Sequence, residues 1–544
     1  VGLLLLIACA NVTNLLVVRG IRRRREMAVR AALGATRAQL LRQLSVECLL
    51  LSAAGGLGGV ALGLAGARAF LGFGPVYLPR LGDDAAALVL DWRVAAFSVL
   101  AATGTSILVG IYPAMRASGD SVNEMLSGTP GPATAGFRRP RLGGGLVAAQ
   151  IALALVLLVC TGLLAQTLVA LRSVDPGFSP DRLLTLQTSL RGQRFETAAS
   201  VTNLVRDGVR QLESLPAVVA AGAAADLPLS GSDFRIPFTI VGRPLEGQSH
   251  GTPSWRVVSP TYFDALELPL MRGRLFAVGD DAQAEPVVII NATLSRQFWP
   301  AGDPLGERLS LGQGLGPPFE EPPRRIVGIV GDVRDGIGLT HEPRPTVYVP
   351  LAQLPDGVAS LTFGIAPLIW LVRTVVEPQA LIGPAQQRLE QAAGGVPVSG
   401  VRPLRATLAD SLADADLSLL IASTFAAVAV VLAATGVYGL LAYLVQQRVR
   451  EMGIRLALGA DTRRVRNLVM RDGLRLAAGG IAIGLPGALG ATRLIASLLF
   501  GVSAGDPAVL TGAAALLCLV ALFAVWLPAR QASRVEPAIA LRTE

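Results

Sequence analysis

The sequence predicts an α-helical membrane protein: seven transmembrane helices, drawn from two copies of one helical module, with a large mixed α/β domain outside the bilayer. Three observations predict it. The 544 residues are 52% hydrophobic with a mean hydropathy of +0.53 and only 16% charged, a combination rare in soluble globular chains. The apolar residues gather in nearly uncharged runs of about 18 to 30 residues, each long enough to cross a hydrocarbon core of about 30 Å as a helix. A basic eleven-residue motif also occurs twice.

The predicted spans are Val1–Val18, about Leu44–Ala67, Val94–Tyr112, Gly143–Leu171, Leu417–Val445, about Leu476–Leu499 and Ala508–Leu527. The chain starts at Val1 inside an apolar run, with no initiator Met and no basic leader, and reads as a fragment whose upstream part is missing. Between about Arg172 and Ala415 the sequence is less apolar and rich in Pro and Gly, as expected of a water-exposed mixed domain.

Arginine sets the orientation. The net charge of +9 is carried by arginine alone, since the chain has no lysine. One loop holds Arg19, Arg22, Arg23, Arg24, Arg25, Arg30, Arg37 and Arg42 against Glu26. Another holds Arg448, Arg450, Arg455, Arg463, Arg464, Arg466, Arg471 and Arg475 against Glu451, Asp461 and Asp472. Short cytoplasmic loops carry the basic excess, so both belong inside, as does the linker Arg116–Arg141. The acidic loops at Asp83–Asp84 and Asp506 belong outside, together with the large domain. Gly143–Leu171 and Leu417–Val445 each run 29 residues without a formal charge. At 1.5 Å per residue that is about 43 Å, more than a bilayer core needs. They flank the outer domain and are expected to extend toward it as a stalk that carries motion.

The repeat is the most specific feature. Arg25-Glu-Met-Ala-Val-Arg-Ala-Ala-Leu-Gly-Ala35 matches Arg450-Glu-Met-Gly-Ile-Arg-Leu-Ala-Leu-Gly-Ala460 at eight of eleven positions, 425 residues apart. Ala53-Ala-Gly-Gly56 recurs as Ala477-Ala-Gly-Gly480, Arg68 as Arg493, and Pro113-Ala114 with Ala117-Ser118 as Pro528-Ala529 with Ala532-Ser533. A parallel repeat of this kind builds a transporter around a pseudo-two-fold axis. Within the motif, Glu26 with Arg30 and Glu451 with Arg455 are i,i+4 pairs with the acid first, the favourable order on a helix. Gly34 and Gly459 can end that helix, and Thr36 and Asp461 can cap the next. Two readings of this short amphipathic helix stand: an interfacial anchor on lipid, or a docking helix for a cytoplasmic partner. Lipid alone does not require the same Glu, Met and Leu-Gly-Ala twice, which favours docking. Gly55, Gly59 and Gly63, like Gly480 and Gly484, are spaced four apart, as close helix packing in a bilayer requires. Arg68 and Arg493 are expected to snorkel to the interface or, alternatively, to line a polar path.

Several chemistries are excluded. Without lysine no GxxxxGK[ST] phosphate loop can form. Val327-Gly-Ile-Val-Gly-Asp-Val333 lacks GxGxxG spacing and reads as a buried strand ending in a turn. Asp410, Asp414 and Asp416, and Asp280 with Asp281, read as solvated acids and not as metal ligands. Cys9, Cys48, Cys160 and Cys518 lie in or beside apolar runs and are expected to be buried packing residues without disulfides. His250 and His341 are far apart, no HExxH or CxxC occurs, and no GxSxG elbow or triad is present, so the chain is expected not to be an enzyme. The arginines lie at the ends of apolar runs and aromatics are only 5%, which argues against nucleic acid.

The chain resembles the MacB/FtsX-like superfamily of ABC transporter permeases, and more closely the acidobacterial duplicated orphan permeases. The residues that carry this are the two Arg-Glu-Met…Leu-Gly-Ala loops and the Pro-Ala…Ala-Ser closures. They also include Val257-Val-Ser-Pro-Thr-Tyr-Phe263, Leu270-Met-Arg-Gly-Arg-Leu-Phe276, Val287-Val-Ile-Ile-Asn291, Phe298-Trp-Pro-Ala-Gly-Asp-Pro-Leu-Gly306, Val327–Arg334 and Val347-Tyr-Val-Pro350.

The resemblance implies a duplicated FtsX-like module with a MacB-like periplasmic core domain of two α/β lobes. Residues 1–120 would be the C-terminal part of a first permease module with three transmembrane helices and 121–142 a cytoplasmic linker. Residues 143–171 would be a transmembrane stalk, 172–415 the extracytoplasmic domain and 416–544 a second module with three helices. It implies that Arg25, Glu26, Met27, Arg30, Leu33, Gly34 and Ala35, and Arg450, Glu451, Met452, Arg455, Leu458, Gly459 and Ala460, belong to coupling helices that receive cytoplasmic ABC ATPase subunits. ATP would be bound by those partners and no cofactor by this chain, in a bacterial inner membrane. Closure of the ATPase would move the long helices and outer domain, driving efflux or extraction of a hydrophobic substrate by mechanotransmission. The alternative is a non-transporting scaffold that regulates an outer partner such as a cell-wall hydrolase. Compared with a complete duplicated permease, a first span and a first periplasmic domain are missing.

Overall fold

The computed structural model describes residues 1–22, 30, 33, 36–72, 93, 96–97, 100, 104, 139–228, 234–245, 247–316, 319, 321–334, 342–447 and 461–532. The chain divides into two units, Val1–Ala170 with Ala415–Glu544, and Leu171–Asp414.

Among the described residues, the chain opens with the helices α1 (Gly2–Arg22), α2 (Arg37–Gly72) and α3 (Arg139–Arg172). The second unit then alternates strands and short helices: β1 (Leu183–Thr188), α4 (Ala198–Glu213), β2 (Val218–Ala224), β3 (Phe238–Ile240), β4 (Ser254–Val258), α5 (Tyr262–Leu266), β5 (Leu270–Gly273), β6 (Val287–Asn291), α6 (Ala292–Phe298), β7 (Arg308–Leu311), β8 (Arg324–Val330), β9 (Thr346–Pro350), α7 (Asp356–Ile365), β10 (Leu368–Thr374), α8 (Ile382–Ala392) and β11 (Val398–Pro403). Three long helices close it: α9 (Leu404–Gln447), α10 (Thr462–Leu494) and α11 (Pro507–Ala532).

The strands form one mixed sheet in the order β11-β1-β10-β2-β4-β9-β6-β8-β7-β3, with β5 paired to β8. Its first four strands are antiparallel neighbours. The β4/β9 and β6/β8 pairs are parallel. The two halves join through a single residue pair, Ala224 with Val258, so the sheet has a natural seam between two lobes. In the first lobe, α4 buries Val201, Leu204, Val205, Gly208 and Leu212, a helical i,i+3,i+4 stripe. Thr197 caps it by accepting from the Ser200 N–H. Gly208 lies over Trp370, whose ring atoms would be 2.3 Å from any added Cβ. Trp370 is itself fully buried and donates from Nε1 to Thr188 Oγ1 at 3.0 Å. The expected strand at Val327–Val333 is β8, buried along nearly its whole length, and the two other apolar motifs are β6 and β9, buried throughout.

In the helical unit, four helices are long and apolar enough to cross a membrane among the described residues: Gly144–Arg172, Ala415–Gln446, Arg466–Leu494 and Pro507–Arg530. Gly2–Thr13 and Ser52–Gly66 are shorter apolar helices inside α1 and α2. The expected span Val94–Tyr112 lies almost wholly outside the described residues, which hold four long apolar helices and two shorter ones of the seven expected spans. Val147, Ile151, Leu155, Val159 and Leu163 of α3 form a stripe at near-zero exposure. It meets Ala429, Ala433 and Val437 of α9, Ala477 and Ala488 of α10, Leu517 and Val525 of α11, and Ile7 of α1.

The glycine spacing is used for close packing in the second copy. A Cβ on Gly480 would lie 2.7 Å from Ile151 Cβ, and one on Gly484 would lie 2.9 Å from Ala152 Cα. Gly55 and Gly59, 425 positions earlier, and Gly63 meet nothing within 4 Å among the described residues. Cys9 and Cys160 are half-buried, and Cys518 is exposed. Burial of Cys518 is therefore corrected: α11 turns that face outward from the packed stripe of Ala513, Leu517 and Ala521. The side chain of Cys48 lies outside the described residues.

Both long helices exceed expectation. α3 has 34 residues and α9 has 44. The extra length of α9 is the polar stretch Leu404–Asp416. Leu404 and Thr407 are its buried face.

Candidate functional site

The repeated loops are framed by matching helix starts. At the first, Gln39 N–H donates to Thr36 Oγ1 at 3.4 Å, and Thr36 N–H donates to Gln39 Oε1 at 2.9 Å. That reciprocal pair is a capping box at the start of α2. At the second, Asp461 caps α10 by accepting from the Arg463 N–H at 3.0 Å. Thr36 and Asp461 occupy the same offset of 425, so the repeat extends to the caps.

Of the expected coupling residues, Arg30 and Leu33 are described. Arg30 Nη1 donates to Gln43 Oε1 at 2.7 Å, and Leu33 is 83% exposed, a large apolar side chain presented outward. Arg25, Glu26, Met27, Gly34 and Ala35, and Arg450, Glu451, Met452, Arg455, Leu458, Gly459 and Ala460, lie outside the described residues. The helix ends around the second loop are tied together. Val445 at the end of α9, Val469 early in α10 and Ala529 late in α11 form a small buried cluster with Met470 against it. Ala529 is fully buried there, which gives the repeated Pro-Ala closure a packing role. On the same stretch of α10, a shallow groove of about 390 Å³ is lined by Asn467, Met470, Arg471, Leu474, Arg475 and Ala478.

The outer-domain ends of the long helices lie next along the chain to two paired strands. α3 ends at Arg172, shortly before β1, and α9 begins at Leu404, immediately after β11. β1 and β11 are antiparallel partners, with Leu184 opposite Pro403. Thr185 Oγ1 donates to Arg402 O at 3.0 Å across this pair. Arg402 is ion-paired with Asp410 at 2.9 Å and Arg405 with Asp181 at 3.4 Å. Asp410 therefore fastens the first turns of α9 to β11. Sequence reasoning missed this strand pair, because β1 and β11 are 215 residues apart and the only local cue is their apolar alternation.

Asp280, His250 and Arg373 have structural partners. Asp280 accepts both guanidinium arms of Arg274 at 2.7 and 2.8 Å and the Ala277 N–H at 2.8 Å. Arg274 and the Ala277 amide hold its carboxyl below the ordinary carboxylate range, against the opposing push of burial. His250 Nδ1 accepts from the Ile240 N–H at 3.1 Å, with Nε2 3.2 Å from Pro244 O, so its ring closes the turn after β3. Arg373 is buried, and its guanidinium donates to Ala265 O, Ser179 O, Ser179 Oγ and Asp181 O. No group of three or more His, Cys, Asp or Glu is placed to hold a metal among the described residues.

The profile described as FtsX-like permease C-terminal matches residues 1–122 and 423–537, and that described as MacB-like periplasmic core domain matches residues 146–392. The macrolide export ATP-binding/permease protein MacB of Azoarcus sp. (strain BH72) is 25% identical over 385 residues, covering 66% of this chain and 51% of that protein. The pyoverdine export ATP-binding/permease protein PvdT of Pseudomonas entomophila (strain L48) is 26% identical over 300 residues, covering 52% and 42%. The uncharacterized ABC transporter permease YknZ of Bacillus subtilis (strain 168) is 32% identical over 120 residues, covering 22% and 27%. The chain spans about half the length of the curated export proteins it matches. Among solved structures, the periplasmic region of MacB from Actinobacillus actinomycetemcomitans aligns with 15% identity and a TM-score of 0.29, covering 42% of this chain and 92% of that one.

Proposed function

Because this chain belongs to the MacB/FtsX-like superfamily of ABC transporter permeases, we propose that it is a permease subunit that couples a separate cytoplasmic ATPase to movements of its extracytoplasmic domain. The observation that carries the reading is the repeated basic loop, present twice with eight of eleven identities and followed each time by a capped helix at the same offset. Two equivalent loops suit a two-fold partner such as a pair of ATP-binding subunits. Leu33, exposed on the first loop, supplies an apolar contact, and the arginines supply charge. Partner-bound ATP provides the energy, and this chain provides the transmission.

On this reading, a push at the loop ends is carried along α3 and α9 and arrives at β1 and β11. Because those strands are hydrogen-bonded neighbours, relative sliding of the two helices shears one ladder, and rotation of both together turns the first lobe as a body. The seam at Ala224 and Val258 then lets one lobe move against the other. Efflux or extraction of a substrate outside an inner membrane follows from such movement.

The test uses the full chain in native membranes. Glu26→Arg and Glu451→Arg each replace the acid of the repeated motif with a base. Each is expected to reduce co-purification of the ATP-binding subunits, and the double variant to abolish it. If both still co-purify with their ATPase at the wild-type level, the docking assignment is wrong.

A further inference from the structure

Asn11 on α1 and Gln150 on α3, both buried in the helical bundle, come together with Thr435 at the exposed edge of α9, although the three lie far apart in sequence and in no repeated motif. Asn11 Nδ2 donates to Thr435 Oγ1 at 3.0 Å, and that hydroxyl donates onward to Leu432 O at 2.9 Å. Gln150 is 0% exposed and Asn11 6%. Among the described residues, neither polar atom of the Gln150 carboxamide has a hydrogen-bond partner, and neither does Asn11 Oδ1. The core around them is otherwise apolar, with Val147 and Ile151 beside Gln150 on α3, and Ala433 and Val437 beside Thr435 on α9.

The three meet at Gly436. A Cβ built there would lie 2.1 Å from Gln150 Oε1 and 3.5 Å from Asn11 Oδ1. Only a residue without a Cβ leaves Gln150 its present resting place. An amide buried among membrane helices without a bond carries its full desolvation cost, and hydrocarbon offers no replacement partner. Asn and Gln carboxamides are mutually complementary, each holding donors and an acceptor. Their oxygens both face the bare Gly436, so a slide of α1 against α3 on the order of 1–2 Å, the usual scale of helix shifts, would bring a Gln150 N–H toward Asn11 Oδ1.

We propose that Asn11, Gln150 and Thr435 form a two-position polar latch within the bundle. In the described packing Thr435 holds Asn11, and Gln150 rests against Gly436. In the second packing the Asn11 and Gln150 carboxamides bond to each other, and α1 has slid along α3. Interhelical polar bonds of modest strength suit such a device, because neither position traps the bundle. The latch concerns the helices alone. Its failure would leave the ATPase-coupling assignment standing, and a lost ATPase would leave the latch standing.

Two substitutions push it in opposite directions. Gln150→Leu removes the pairing amide and favours the described packing. Gly436→Ala displaces Gln150 and favours the second. The experiment places nitroxides at Leu6→Cys and Ala149→Cys, on exposed faces of α1 and α3, in the full chain reconstituted in lipid with its native cysteines replaced. Wild type should give two spin–spin distances, the minor one above about one-tenth of the population. Gln150→Leu should leave one distance, and Gly436→Ala should raise the other several-fold. A single wild-type distance, or two variants that shift it the same way, overturns the proposal. Where Gly436→Ala fails to fold, Thr435→Val, which removes the bond that holds Asn11 in the described packing, must raise the second component instead; if it does not, there is no latch.

Discussion

Asp280 and Asp281 follow Gly279 in a turn, and as bare sequence they suit a cation as well as an arginine. The structure commits Asp280 to Arg274 and Ala277, and Asp281 to the Gln283 N–H at 3.0 Å. Because Arg274 holds the Asp280 carboxyl below its ordinary value of about 4, its contribution to stability is complete above that value and lost as pH falls below it. Asp280→Asn should therefore destabilise the outer domain by about 1–3 kcal/mol at neutral pH, the usual loss when a charged hydrogen-bonded partner is removed. It should also flatten the fall in melting temperature below about pH 4. Parallel pH–melting curves for the two proteins would show that the bond contributes nothing. At this scale Thr36 and Asp461 were legible, because capping depends on residue type and local position and both came marked by the repeat. The Asn11–Gln150–Thr435 cluster was not legible. Each member reads as an ordinary polar interruption of an apolar run, and only three-dimensional packing joins positions 11, 150 and 435.

Apolar runs locate elements well and their ends poorly. The spans expected at Gly143–Leu171 and Leu417–Val445 lie within α3 and α9, yet α9 starts at Leu404. Hydropathy cannot see the added turns, because Leu404–Asp416 is half polar and its helical state comes from seating Leu404 and Thr407 and pairing Asp410 with Arg402. The same limit applies to α10, which begins at Thr462, well before the expected Leu476. The glycine pattern was legible as a packing face, and in the second copy it is one. Gly484 makes the sharper test, since an added methyl would meet both Ala152 Cα at 2.9 Å and Ala152 O at 3.0 Å, backbone atoms that cannot rotate away. Gly484→Ala should cost about 1–3 kcal/mol through overpacking. It should lower the thermal unfolding temperature of the detergent-solubilised chain, where Gly490→Ala, with nothing within 4 Å among the described residues, should not. Equal melting temperatures would mean that α3 and α10 do not pack this closely.

At the scale of the molecule, the chain is one outer domain inserted into a helical unit, and the boundary has a thermodynamic meaning. The large core cluster of the second unit runs from Leu184 to Val398 and draws no residue from the membrane helices. Every strand also pairs within that unit. Its largest buried side chains, Trp370, Tyr262, Tyr348 and Phe238, lie inside it, and the rings of Tyr262 with Tyr348 and of Phe238 with Phe298 pack together there. About 240 residues with a single continuous core are within the size at which domains fold alone. Residues 171–414 expressed without the helices should therefore be soluble and melt cooperatively, with the mixed circular-dichroism signature of strand and helix. The seam at Ala224 and Val258 sets a further expectation: if the two lobes move independently, their amides should exchange in two groups, slow within each lobe and fast along the β2–β4 edge. Aggregation of the isolated segment, or a broad non-cooperative melt, would mean that the long helices contribute to the outer fold as well as transmit to it, and the division between transmitter and receiver would have to be redrawn inside β1 and β11.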